Sequence, residues 1–447
     1  MKRTRLFCLL VSLAGLLTLA VGAVLWWRGS HYTALGRAAA LVSIALFALL
    51  GLRFVPQWAA FWGEEAPAAP DPGGEPPRMA LKIALALLGF DAAVLWLAWV
   101  LRVAMGHYGG FAETLSFWRC TDSQHYLAIA DDWYLSEGSR DRLVQLVFLP
   151  GYPLAIRLFR LVTGDTLTAG LLCSGCCFAG AGVLFYRLLR LDLSHEAALR
   201  ALTLLCLIPG SFFFAAPMSE SLFLLCCLAC LYLARKGRWL FAALCGAAAA
   251  FTRSLGLLVL APLILELVAA RLRGKLSARG ALAAALSLPL VLCGFGAYCF
   301  INYRVSGDPF RFLVYQSEHW NQRLSWFFNT AAYQTELLAQ SFGKDKVMAL
   351  GLWLPNVLAC FGALAVTAAA APRLRASYGA WFIATYAVAV GATWLLSAPR
   401  YLAAMPVLPL ALALLADKPR RQTAAYAVLA ALSALYFLAF LLRWQVW

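Results

Sequence analysis

Apolar residues in this chain neither alternate nor return at regular helical spacing. They run on in blocks of about twenty, and a helix of that length matches the roughly 30 Å hydrocarbon core of a bilayer. The runs predict helices near 6–27, 34–54, 80–105, 166–190, 197–214, 218–234, 239–252, 255–270, 280–301, 347–371, 377–396, 401–416 and 423–442. The expected fold class is therefore an all-α polytopic membrane protein with about 13 transmembrane helices. Four runs, 218–234, 239–252, 255–270 and 401–416, are short for a crossing. The first run follows Lys2-Arg3-Thr4-Arg5 but is longer than the roughly 7–15 residues of a signal-peptide core, so it is expected to remain as a spanning helix. Pro56, Pro67, Pro70, Pro72, Pro76 and Pro77, with Gly73-Gly74, interrupt the pattern. Residues 1–55 thus read as a two-helix N-terminal appendage, 56–79 as a Pro-rich linker and 80–442 as the main body.

Composition agrees with the pattern. The 447 residues are 63% hydrophobic and only 13% charged, against about 45–50% and 25% in a soluble domain. The net charge of +16 would suggest nucleic acid only if the cations shared one stripe. They lie instead in short clusters between apolar runs, and no nucleic-acid partner is expected. With the N-terminus inside, the short inner connections carry Arg187, Arg190 and Arg200, then Arg235-Lys236-Arg238, then Arg271, Arg273, Lys275 and Arg279. Arg373 with Arg375, and Lys418-Arg420-Arg421, complete the series. That is the positive-inside pattern, and it puts the long connections 106–165 and 302–346 outside. Residues 146–163 are apolar, but Pro150, Pro153, Arg157 and Arg160 favour an interfacial segment over a crossing. Cysteine adds little. Cys173–Cys176 and Cys227–Cys230 have C-x-x-C spacing but sit within apolar runs, as packing residues do.

Ionisable residues at the membrane edge are the candidate chemistry. Asp122, His125, Asp131 and Asp132 lie in the first outer loop, Glu220 just inside a helix that starts outside, and Arg253 and Arg400 at outer helix ends. Each could be a helix-end anchor, with Ser219 and Glu220 forming an N-terminal cap and the arginines snorkelling. Their collection on one face argues for a site. Asp131-Asp132 could also join Asp122 in holding a divalent cation, although no His-rich or clustered-carboxylate motif is present.

Several stretches resemble a known family. Trp118-Arg119-Cys120-Thr121-Asp122-Ser123-Gln124-His125-Tyr126-Leu127-Ala128-Ile129-Ala130 is similar to the Trp-Asp-x-x-His-Phe/Tyr-x-x-Ile-Ala signature of the second mannosyltransferase of GPI-anchor assembly and its bacterial relatives. Phe148-Leu149-Pro150-Gly151-Tyr152-Pro153-Leu154, Met218-Ser219-Glu220-Ser221-Leu222-Phe223 and Arg253-Ser254-Leu255-Gly256 resemble further segments of that family. Gly307-Asp308-Pro309-Phe310, with Gln316 and Trp320, and Ser397-Ala398-Pro399-Arg400-Tyr401 follow in the family's order. The resemblance spans roughly 80–416, with one departure: Thr121 stands where the family has Trp before its Asp.

The resemblance implies a GT-C-type core in residues 80–442 that forms the catalytic domain, with its active site on the extracytoplasmic face. Such an enzyme moves a sugar, mannose by family, from a polyprenyl-phosphate donor to an acceptor hydroxyl with inversion. The acceptor, whether glycan, lipid or protein, is left open. Asp122 is the expected catalytic base. Arg253 and Arg400 would hold the donor phosphate, while His125, Tyr126, Asp131, Asp132, Glu220 and Tyr401 would bind or orient substrate. Neither a metal nor another cofactor is expected, because the leaving group is a phosphate monoester. Rival readings are a transporter or flippase for polyprenyl-linked sugars, and a non-catalytic protein that binds them.

Overall fold

The computed structural model describes residues 2–62, 74–134 and 144–446. Among these the chain is helical throughout, with no strand beyond one isolated bridge, Leu324 to Ala392. Eight helices are long and apolar enough to cross a membrane. They are Leu10–Gly29, Ala34–Trp62, Met79–Ala104, Thr166–Leu189, Ser254–Leu272, Ala278–Ser306, Lys346–Arg373 and Pro419–Leu441. The protein is an all-α polytopic membrane protein.

The other expected spans are shorter helices, for identifiable reasons. The 197–214 run is helical over His195–Leu207; Pro209 follows, and Ser211–Phe214 forms a 3-10 turn. The 377–396 run winds only over Ala376–Ala389. Pro406 divides the 401–416 run into Ala398–Ala403 and Val407–Leu415. Glu220–Arg235 and Trp239–Thr252 form as expected but have 16 and 14 residues.

Ala34–Trp62 continues through Pro56, while the rest of the linker to residue 73 falls outside the described residues. This helix packs on Phe327–Phe342 and Leu354–Ala370, with Leu50 and Phe54 fully buried. Phe47 stacks on Phe327 at 4.4 Å, Thr33 N–H donates to Glu336 at 2.5 Å, and the Trp26 indole donates to Asn329 at 2.8 Å. The first two helices therefore back the C-terminal half of the bundle.

The apolar 146–163 segment is an amphipathic helix, Gly151–Thr163. Tyr152 and Ile156 are fully buried, whereas Leu158, Leu161 and Val162 are 67%, 85% and 87% exposed. A short helix with one protein-facing and one bare apolar side suits the membrane interface.

The two ends of the bundle differ in charge. Arg235, Lys236, Arg273, Lys275, Arg373 and Arg375, from three separate connections, line one cavity at the basic end. Asp122, Arg253 and Arg400 line another. Glu220–Arg235 links the regions, since Glu220 touches the second group and Arg235 the first. Its 16 residues separate them by about 22 Å. Cys120, a natural labelling position, is only 4% exposed, so thiol labelling must use another residue. Tyr108, at 91% exposure, replaces it. In a cysteine-free background, Tyr108→Cys is expected to react with an impermeant maleimide on intact cells, and Ser277→Cys only after lysis. The reverse pattern would invert the membrane orientation.

Candidate active site

The turn before Asp122 is closed by Ser123, whose hydroxyl accepts from the Cys120 N–H at 2.8 Å and lies 2.6 Å from the Cys120 carbonyl. Thr121 takes φ +50, an uncommon and strained conformation for a β-branched residue. The chain then enters the helix Ser123–Asp132 directly at Asp122. This places the Asp122 carboxylate in a cavity of about 160 Å3, together with Tyr126, Phe148, Arg253, Arg400 and Tyr401.

Arg400 arrives from a different part of the fold. After Ala389 the backbone leaves the helix and crosses as an irregular strap of turns and bends to Ser397. Neighbouring helices hold the strap by side-chain bonds. Gln334 and Asn356 donate to the Leu395 carbonyl at 2.9 and 3.3 Å, the Tyr333 hydroxyl accepts from Leu395 N–H at 2.6 Å, and Asn356 Oδ1 accepts from Ala398 N–H at 2.9 Å. Just beyond the strap, the start of Ala398–Ala403 lies against Gly210, which adopts φ +92. A Cβ there would stand 3.1 Å from the Pro399 carbonyl carbon, so the glycine permits both the turn and the close approach. Arg253 sits where Trp239–Thr252 ends, in an extended conformation before the Ser254–Val259 turn.

These elements build one charged cluster. Arg400 Nη2 donates to Asp122 Oδ2, and Arg400 Nε stands 3.3 Å from Glu220 Oε1. Arg253 Nη1 donates to the same Glu220 oxygen at 2.6 Å and to Ser219 Oγ at 2.9 Å. Ser219 Oγ also bonds the Tyr126 hydroxyl at 2.9 Å. Tyr401 lies under both guanidinium groups, at 4.9 Å from Arg253 and 5.5 Å from Arg400. Burial works against the charge on each arginine. The carboxylates outweigh it, Glu220 at Arg253 and Asp122 with Glu220 at Arg400, and both stay above the ordinary arginine range. Side-chain exposure is 2% at Glu220 and 3% at Arg400 but 30% at Asp122. Glu220 is thus the buried hub, and Asp122 is the carboxylate open to the cavity.

The helix-cap reading of Ser219 does not hold, because it makes no side-chain cap bond and serves Arg253 and Tyr126 instead. His125 stacks on Phe148 at 4.5 Å beside the cavity, and burial pushes its imidazole below the usual pKa against an opposing pull from Asp122. Asp131 and Asp132 stand about 13 Å farther along the helix. Asp131 pairs there with Arg160 at 2.8 Å and accepts from Thr166 at 2.5 Å. They do not join the cluster. Among the described residues no three His, Cys, Asp or Glu side chains are grouped to hold a metal ion.

Thr252 and Ser397, next to the expected arginine segments, also line the cavity, as do Gln322, Trp394 and Leu396, which nothing in their local pattern marked. Gln322 reaches in by donating to the Trp394 carbonyl at 3.1 Å. Asp91 departs from the expectation that charges gather at span ends. It lies midway along Met79–Ala104, 5% exposed, with neither carboxylate oxygen hydrogen-bonded among the described residues.

Fold and site together define a multi-pass membrane protein with an acid–arginine cluster beneath a polar and aromatic cavity. Residues 107–279 match the family model described as Mannosyltransferase (PIG-V), which supports a membrane glycosyltransferase of the mannosyltransferase kind. The matched stretch contains Asp122, His125, Tyr126, Glu220 and Arg253. Arg400 and Tyr401 lie beyond it and reach the same cluster through the fold. No curated protein matches the chain.

Proposed function

We propose that the protein is an inverting glycosyltransferase that moves a sugar, mannose by its family resemblance, from a polyprenyl phosphate to an acceptor hydroxyl on the extracytoplasmic side. The observation that carries this reading is the convergence of Asp122, Glu220, Arg253 and Arg400, from four separated segments, at one cavity.

Chemistry follows from the charges. Asp122 accepts the proton of the acceptor hydroxyl as its oxygen forms the new bond to the anomeric carbon. The bond from that carbon to the phosphate oxygen breaks on the opposite face, and the phosphate keeps the electron pair. Arg253 and Arg400 stabilise the added negative charge, and their planar forks suit phosphate oxygens. At rest the Asp122 carboxylate is engaged by Arg400. Donor phosphate competing for Arg400 therefore frees Asp122 when the donor is in place. Glu220 holds both guanidinium groups in register from below.

Purified protein, given a radiolabelled polyprenyl-phosphate sugar and a membrane extract, is expected to release polyprenyl phosphate and label an acceptor. Mass spectrometry of that product names the sugar and acceptor. Movement of intact donor across vesicles without cleavage would instead establish a transporter, and binding without either would establish a non-catalytic protein.

A further inference from the structure

The larger cavity, about 610 Å3, opens at the basic end of the bundle, far from the candidate active site. Its floor is a closed ion-pair square. Arg235 grips Asp192 through two bonds of 2.8 Å, and Arg375 grips Glu266 through bonds of 2.6 and 2.8 Å. Cross contacts of 3.6 Å join Arg235 to Glu266 and Arg375 to Asp192. Two arginines and two carboxylates cancel, so the floor is neutral. Burial acts to raise the Asp192 carboxyl, but the bonds from Arg235 hold it below the usual range.

The rim does not cancel. Six cationic side chains and two carboxylates line the cavity. With Arg235 and Arg375 used by the floor and Arg373 bound to Asp417 at 3.0 Å, Lys236, Arg273 and Lys275 are in surplus. Neither the Arg273 nor the Lys275 side chain makes a hydrogen bond or ion pair with the described residues, and only their backbone N–H groups are bonded, to Ala269 and Ala270. Burial, followed by repulsion from Arg375, lowers the proton affinity of Arg273 against opposing pulls from Glu266 and Asp192. The remaining wall is mostly apolar, with Phe61, Leu189, Leu410 and Leu414, and carries Gln57, Ser377 and Tyr378 among them.

We propose that this cavity is a phosphate-binding site, with Arg273 and Lys275 as its cations, that takes the headgroup of an anionic membrane lipid. Surplus cations beside an apolar wall fit a phosphate attached to hydrocarbon better than a free ion. The site does not rest on the proposed catalysis, because it is formed at the opposite end of Glu220–Arg235.

The test is native mass spectrometry of the full-length protein released from nanodiscs containing phosphatidylglycerol or only phosphatidylcholine, with thermal melting in parallel. Phosphatidylglycerol is expected to remain bound and raise the melting temperature, and phosphatidylcholine not to. Arg273→Gln with Lys275→Gln should reduce retention at least fivefold. The control is Arg271→Gln with Arg279→Gln, which removes equal charge from exposed positions of the same segment outside the cavity. It should retain the lipid. Equal loss in both pairs, or none in either, would overturn the site. Protection by inorganic phosphate alone, lost only in the first pair, would support the phosphate site and overturn its lipid source.

Discussion

Replacing Asp122 with Asn is expected to lower turnover by about two to four orders of magnitude, the usual span for losing a general base. Asn keeps the volume and one oxygen that can accept from Arg400, and Arg400 still has Glu220, so the fold should persist. Donor affinity should change little or rise slightly, because phosphate would no longer compete with a carboxylate for Arg400. Single-turnover kinetics at saturating donor, with a separate donor-binding measurement, tests both halves. Near-normal turnover would reduce Asp122 to a positioning partner of Arg400. Asp131 would then not serve as a substitute, since it is tied to Arg160 and Thr166 at the far end of the helix.

Converting Arg253 or Arg400 to Lys should weaken donor use by about 10- to 100-fold each, from loss of one charge-assisted bond of about 1.5–3 kcal/mol. Lys is the informative choice because a neutral residue would strand buried carboxylates at about 3–5 kcal/mol. An ammonium keeps the charge but cannot reproduce the fork that lets Arg400 meet Asp122 and Glu220 together. The double variant should lose less than the product of the two single losses, since both guanidinium groups share Glu220 Oε1 and would share the phosphate. Initial rates over a donor series, with melting temperatures, separate the possibilities. Strictly multiplicative losses, or variants that melt early yet turn over normally, would remove the phosphate clamp.

The helical membrane fold was legible because long apolar runs leave few other structures open in a bilayer. Their interruptions were less so. Pro209 and Pro406 are visible breakers, but nothing in Val390-Gly391-Ala392-Thr393-Trp394-Leu395 announces a strap, because its hydrogen bonds are made with distant residues, among them Gln322, Thr330, Tyr333, Gln334 and Asn356. Asp122, Glu220, Arg253 and Arg400 could be singled out because charge is rare in such a chain. Their pairing could not, since it depends on where the strap delivers Arg400. The role of Ser219 was missed for the same reason: its partners, Arg253 and Tyr126, are 34 and 93 residues away. The contacts of the first two helices were equally hidden, because apolar residues on every face do not indicate which face meets Phe327–Phe342.

The resting cluster has a further consequence. Two carboxylates and two guanidinium groups sum to zero, and the field of a balanced cluster fades within a short distance. It cannot draw a distant anion toward itself. A membrane-tethered donor would reach it by sideways diffusion in the leaflet and be captured only when phosphate exchanges with a carboxylate at close range. Bilayer fluidity, more than ionic strength, would then govern the rate of encounter, whereas salt would be felt chiefly at the opposite end, where the cations are in excess.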